Sequence, residues 1–433
     1  MERDLTSILQ TSLTDLFFRP IVRVKTSVMK KLILLVPALS IILLSEAQLL
    51  KKIKDKANNV VDKKVDETTN GKKDERSTSG NNSENDSKNS NEPATLKAYS
   101  KYDFVPGEKV TGFEDFSTGN IGDFPAGWNT NASGEIVTIE GKEGRWLWLT
   151  KPGVFVPELA QEYPEDFTFE FDLMHGVPIN GAYFTVGFAE LSDRSKISGW
   201  TYETNNFSIE LDNANTGTDL ATTRFTFRKN SVSDAGSGTN PTILSDKNNP
   251  VHVAIWRQKE RVRVYVNQEK LWDIPRAAVK EAKFNTIFFS VSYADEGIKH
   301  YIGNLRLAIG APDTRKKFLE QNKWVTHGIL FDVNSATIKP ESYGTLKEMA
   351  TVLKENADLK VKIVGHTDAD GKDAENLDLS KRRAAAVKES LAKEFGIDES
   401  RMEADGKGES EPIDKNDTPA GKANNRRVEF IKI

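Results

Sequence analysis

Residues 365–387, GHTDADGKDAENLDLSKRRAAAV, gather a His–Thr–Asp triplet, a glycine after two aspartates, and paired arginines at the head of an alanine-rich run. Such a set suits a metal loop, an acid–base site, or a clamp for a ligand that carries both charges. The metal templates fail on spacing. A calcium loop of the form D-x-[DN]-x-[DN]-G needs glycine sixth and glutamate twelfth, whereas Gly371 is fourth counting from Asp368 and no Glu stands twelfth. Zinc finds no second histidine at helical spacing from His366, and the chain has no cysteine. Nucleophilic catalysis would set His366 beside Ser380 or Thr367 with an orienting acid, but nothing nearby builds an oxyanion site.

The clamp has positive support. Arg383 lies four residues before Val387 and eight before Leu391, so it falls on the apolar stripe of its helix, while Arg382 points to a flank. An inward arginine is costly unless it meets a carboxylate. Asp368 stands at the C-terminal end of a strand, where α/β sheets place ligand groups. Arg426 shares a strand face with Val428 and Phe430 and should lean inward, with Arg427 opposite. A plainer reading makes Asp368 and Arg383 an ion pair that only holds the loop.

Several elements must position these groups. THGILFD (326–332) reads as a strand, and 340–357 as a helix opened by proline, with Tyr343, Leu346, Met349, Ala350 and Leu353 on one face. LKVKIVGHTD (359–368) is a strand, a helix then runs to about Glu394, and strands near MEADGKG and RVEFIKI close the region. The expected order is β-α-β-α-β-β, a mixed sheet with two helices and parallel neighbours across its crossovers.

Here four ordered stretches, ILFDVNSATIKP, VKIVGHTDADG, NLDLSKRRAAAV and NNRRVEF, closely resemble the OmpA C-terminal family of peptidoglycan-binding domains across 320–433. In that family the ligand is the diaminopimelate of the peptide stem, whose free end carries an ammonium and a carboxylate on one carbon. The resemblance implies that Asp368 takes the ammonium and that Arg383, in the S-x-x-R-A motif, holds the carboxylate. It also implies further contacts from Asn334, Asn376, Arg426 and Thr367. No metal or cofactor is expected.

Residues 99–312 have another character. Short alternating runs such as FTFEFDLM, FSIELD, VHVAIWRQ and TIFFSVSY are separated by Gly, Asn, Asp and Pro, with no helical pattern between them. That implies a sandwich or a barrel. Arg224, Arg228, Arg261 and Arg263 on alternating positions suit a water-exposed face better than a lipid-exposed wall, which favours the sandwich over an outer-membrane porin. FEDFSTGNIGDFPAGW (113–128), residues 251–277 and IGNLRLAIG (302–310) loosely resemble concanavalin-A-like jelly-roll modules, which often bind glycans. Trp128, Trp146, Trp148, Trp200, Trp256 and Trp272 could supply stacking platforms, though alternating tryptophans in strands are more often core. Asp212, Asn213 and Asn215 offer oxygen donors without a complete calcium loop. Glu170 with Asp172, and Glu210 with Asp212, are the acid pairs that a glycan hydrolase in this region would use, though alternating acids on a solvated face are common.

The remaining chain bears on location. MKKLILLVPALSIILLSEA (29–47) has the basic, apolar and small-residue parts of a secretory signal, which makes 1–28 an upstream segment outside the true start. Residues 48–66 could form a short amphipathic segment, and Glu67–Glu92 holds no apolar residue, so 48–98 ends in a disordered linker. With 60 Lys and Arg against 64 Asp and Glu, no global charge favours nucleic acid. The sequence thus describes an exported cell-envelope protein, periplasmic or on the periplasmic face of the outer membrane. It would bind diaminopimelate-type peptidoglycan non-covalently and meet a glycan or outer-membrane protein through its sandwich. The alternative is an exported glycan-active enzyme or lectin anchored by the C-terminal domain.

Overall fold

The computed structural model describes residues 102–433 except for 160–162, 176–182, 195–196, 198–204, 213–220, 230–231, 241–248, 278–281, 293, 295–298 and 311–313. The signal, linker and upstream segments lie outside the described residues, as do Trp200, Asn213 and Asn215.

The first half is made of strands: β1 (Lys109–Glu114), β2 (Asn129–Thr130), β3 (Gly134–Val137), β4 (Trp146–Leu149), β5 (Gly153–Val156), β6 (Asp166–His175), β7 (Tyr183–Ala189) and β8 (Asn206–Asp212). It continues with β9 (Ala221–Lys229), β10 (Val232–Asn240), β11 (Val251–Gln258), β12 (Arg261–Val266), β13 (Glu269–Ile274), β14 (Thr286–Val291) and β15 (His300–Ile309). One sheet runs β13-β12-β11-β6-β15-β4-β3, with β1 added against β15, and the other runs β10-β9-β8-β7-β14-β5-β2. All recorded pairs in both sheets are antiparallel.

Period-two alternation explains how the sheets meet. Phe167, Phe169, Phe171 and Leu173 of β6 share one face and pack with Phe184, Val186, Phe188, Ile287 and Phe289 of the opposite sheet in a single core. Trp146 and Trp256 are buried, and Trp128 and Trp272 pack against the core, so these four tryptophans serve structure. The strand β10, VSDAGSGTN, has no apolar alternation at all and forms by pairing its whole length with β9 at the sheet edge.

The C-terminal region adds α1 (Thr314–Gln321), β16 (Lys323–Thr326), α2 (Tyr343–Glu355), β17 (Val361–His366), α3 (Asp373–Lys393), β18 (Met402–Gly408), α4 (Pro419–Asn425) and β19 (Val428–Lys432). Its sheet order is β16-β19-β17-β18, and only β17 and β18 run parallel. Three expectations are corrected. Four α-helices are present among the described residues, not two. The first strand ends at Thr326 and pairs with β19, so it is no parallel neighbour of β17. Residues 327–332, expected in that strand, form only the bridge Phe331–Ile338. At the point where the strand stops, the His327 carbonyl accepts a hydrogen bond from Arg306 of β15 at 2.8 Å.

That bond belongs to an extensive seam between the two halves. Residues 102–108 run along it, with Tyr102 and Phe104 packed on Trp256 and Tyr265 and half-buried Tyr343 beside them. Asp103 accepts from the Tyr265 hydroxyl at 2.9 Å and pairs with Lys270 at 2.7 Å. Gly344 opens α2 against this segment so closely that a Cβ would lie 1.9 Å from the Phe104 carbonyl oxygen. At the other end, the Asn424 side chain accepts from the Val110 N–H at 2.9 Å and donates to the Val110 carbonyl at 2.8 Å.

Candidate functional site

Asp368 follows β17 directly, and the loop after it turns on its own side chain: the Asp370 N–H donates to Asp368 Oδ1 at 3.1 Å. Gly371, with φ of 101°, supplies the left-handed residue that brings the chain back into α3. Asn376, buried on the first turns of that helix, donates to the carbonyls of Asp370 (3.0 Å) and Asp368 (3.4 Å) and to Glu409 Oε2. Its amide therefore fastens the loop. Lys422 clamps the outer side through Asp370 at 2.7 Å.

The helix α3 is favoured by acidic residues in its first turn, Asp373 and Glu375, and by the Asp378–Arg382 and Glu389–Lys393 pairs four residues apart. It buries Asn376, Ser380, Ala384, Val387 and Leu391. Close approach to β17 rests on Gly365, whose Cβ would lie 2.3 Å from the Ser380 carbonyl oxygen. Arg382 is exposed and paired with Asp378 at 2.7 Å, while Arg383 turns into a cleft.

There Arg383 lies with its guanidinium 4.9 Å from the centre of the Phe331 ring. Its Nε donates to the Ser335 carbonyl at 2.9 Å and Nη2 reaches the Asp332 carbonyl at 3.4 Å. No ion pair is recorded for it among the described residues. Burial first, then the neighbouring Arg426 guanidinium, pulls it down to about 10 against the opposing field of Asp368. The FDVNSA stretch thus works through its backbone and its aromatic ring. Asn334 itself sits exposed at the turn with φ of 52°.

Asp368, 8% exposed, pairs with Arg426: Nη1 lies 2.5 Å from Oδ2. The simple Asp368–Arg383 ion pair is therefore absent. The expected strand geometry of Arg426 is also corrected, since β19 begins only at Val428 and Arg426 instead caps the C-terminus of α4, after Thr418 and Pro419 have started that helix. Arg427 is the more buried of the two and pairs with Glu429 at 2.8 Å. Burial would raise the Glu429 carboxyl, but His366, Lys323 and Arg427 outweigh it and hold the group at about 2. Thr367 is buried, its N–H donating to the Gly408 carbonyl at 2.9 Å.

Asp368, Arg383, Arg426, Thr367 and Asn376 are thus gathered around one loop and cleft, with Asn334 on the turn whose carbonyls hold Arg383. Sequence reasoning missed the sandwich's share. Phe113 of β1 lies under Arg426, its ring centre 5.2 Å from the guanidinium, and Arg306 of β15 lines the same cleft. Nothing in their local pattern distinguishes these two residues from ordinary strand positions.

A separate polar cluster occupies the seam face of the sandwich. His252 lies 2.8 Å from Asp172 and 3.3 Å from Glu170. Arg306 reaches Glu170 at 3.3 Å, and Asn304 donates to Asp172 at 2.7 Å. Burial pushes His252 down, but its two carboxylate partners prevail and raise it to about 10. The face expected to be solvated is covered, with Glu170 2% exposed. Among the described residues no cluster of three or more acidic or histidine side chains could hold a metal ion.

Comparison with known proteins bears on the C-terminal region alone. The OmpA family model matches residues 330–426. Outer membrane porin F of Pseudomonas fluorescens is 46% identical over 101 residues, 23% of this chain and 31% of the relative. The probable lipoprotein YiaD of Escherichia coli is 43% identical over 104 residues, covering 24% and 47%. Among solved structures, the peptidoglycan-associated lipoprotein from Burkholderia pseudomallei matches at 30% identity over 24% of this chain and 88% of its own, with a TM-score of 0.23. This chain therefore spans less than half of either named relative. No helix of the described residues is long and apolar enough to cross a membrane. The relatives carry the names of outer membrane proteins and lipoproteins, and the chain is assigned with them to the cell envelope. Residues 330–426 are an OmpA family domain.

Proposed function

We propose that the C-terminal domain binds peptidoglycan non-covalently through the diaminopimelate of the peptide stem, and that the chain thereby ties envelope layers together without catalysing a reaction. The observation that carries this reading is the state of Arg383. It is a half-buried guanidinium held by two carbonyls and an aromatic ring, beside an aspartate, with no carboxylate of its own. A ligand carboxylate would supply the missing charge through paired hydrogen bonds. The ligand ammonium would go to Asp368, because an ionised carboxylate has about four acceptor positions and Arg426 and the Asp370 N–H take only part of them.

The sandwich is read as a concanavalin-A-like module, supported by two antiparallel sheets over one core. A hydrolase working through Glu170 and Asp172 is disfavoured, since both acids are already engaged by His252, Arg306 and Asn304.

Sedimentation with purified sacculi tests the reading. Asp368→Ala and Arg383→Ala should each abolish co-sedimentation with diaminopimelate-type sacculi, and lysine-type sacculi, which lack the extra carboxylate, should bind weakly. Wild-type recovery of both variants in the pellet would overturn it.

A further inference from the structure

The cleft that holds Arg383 does not end at the border of the OmpA family domain. Its inner part is lined by Arg306, Arg383, Arg426 and Arg427, with Phe113 and Phe331 between them. Three of these guanidiniums have carboxylate partners, Glu170, Asp368 and Glu429. Past Phe113, Arg306 and Phe331 the space continues into a wider cleft of about 370 Å³, whose walls come from both halves of the protein. The sandwich contributes Trp146 and His252, and the C-terminal domain contributes Val333, Lys339 and Glu341.

Two features of the wider cleft suit an acidic peptide. Its floor acids, Glu170 and Asp172, are matched by Arg306 and His252, so they do not set up an uncompensated negative field. Glu341 keeps acceptor capacity in Oε1, which takes a single long hydrogen bond from Gln268 at 3.4 Å, while Oε2 is shut off from water. A carboxylate oxygen with one weak donor has room for another. Lys339, on the same rim two residues away, supplies a compact positive charge.

We propose that the sandwich forms the far wall of the cell-wall site, and that the wider cleft takes the acidic stem peptide preceding the diaminopimelate. The stem carboxylate faces Lys339, and a stem amide N–H meets Glu341. The occupant follows from continuity: a ligand anchored at Arg383 and Asp368 must leave the inner cleft, and its next residue carries both a free carboxylate and amide N–H groups. This inference rests on the diaminopimelate reading above.

Calorimetry on the full chain separates the two. The probes are free meso-diaminopimelate, the L-Ala–γ-D-Glu–meso-diaminopimelate tripeptide, and the same tripeptide joined to its disaccharide. The tripeptide should bind about tenfold tighter than free diaminopimelate, the gain of one charge-assisted contact. In Lys339→Glu that ratio should fall to about two, and Glu341→Gln should lower it by about threefold. Equal binding of tripeptide and free diaminopimelate by the wild type overturns the second subsite and leaves the first standing. A gain that appears only with the disaccharide also overturns it, giving the cleft to sugar. Failure of all three probes to bind removes the subsite together with the reading beneath it.

Discussion

The Glu170–Asp172 cluster of the sandwich and the cleft around Asp368 are built from the same residue types, yet they end in opposite states. In the sandwich each acid has a basic or amide partner within the protein, so the group carries no unmatched charge where it floors the wider cleft. In the cleft Asp368 is matched by Arg426, while Arg383 is left with two carbonyl oxygens and a ring face. Acids and arginines in proximity therefore do not by themselves make a site. What separates the cleft from the internal network is the charge that folding leaves without a counter-ion.

Substitutions should separate the two clusters cleanly. The largest effect is expected from Glu170→Ala, which strips Arg306 and His252 of a shared buried carboxylate. It should cost about 3–5 kcal/mol in urea denaturation. Arg383→Ala, by contrast, should stay within about 1 kcal/mol of wild type while losing sacculus binding. Equal destabilisation by the two would erase the distinction.

The pH dependence of stability comes next. His252 is raised from its ordinary 6.5 to about 10, so its contribution is complete below pH 6.5 and disappears as the pH climbs through that window. The loss should be on the order of 3 kcal/mol by pH 10, and His252→Gln should flatten that limb of the profile. Asn424→Ala removes both hydrogen bonds to Val110 and should cost about 2 kcal/mol, with the sandwich and C-terminal melting transitions drawing apart. A single unshifted transition would mean that the seam holds without this clasp. The smallest effect belongs to Phe113→Leu, which keeps the apolar bulk but takes the ring face from beneath Arg426 and should cost about 0.5–1 kcal/mol.

The helical register of α3 was enough to turn Arg383 inward and Arg382 outward, since a 3.6-residue repeat is read directly from Val387 and Leu391. The strands from FTFEFDLM to TIFFSVSY were legible for the same kind of reason. Local periodicity carried no information on Arg426, because the alternation of VEFIK does not extend back across the end of α4. Nor did it reveal the Asp332 and Ser335 carbonyls that hold Arg383, since a backbone acceptor has no signature of residue type. The hidden face of β6 is the clearest case. Glu170 and Asp172 read as solvated because alternation identifies one buried face, and only a second domain lying across the sheet accounts for the burial of the other.

The double hydrogen bond between Asn424 and Val110 has a consequence for how the chain resists self-association. The side-chain amide offers one donor and one acceptor to the same residue of β1, as a neighbouring strand would. Among the described residues β1 pairs with β15 alone, so its other edge would invite a passing backbone if nothing covered it. Asn424 occupies that edge from a position 314 residues further along. A product cut short before Asn424 therefore presents a bare strand edge of the kind that recruits other chains into aggregates. The C-terminal domain thus acts as an end-cap for the sandwich beside it.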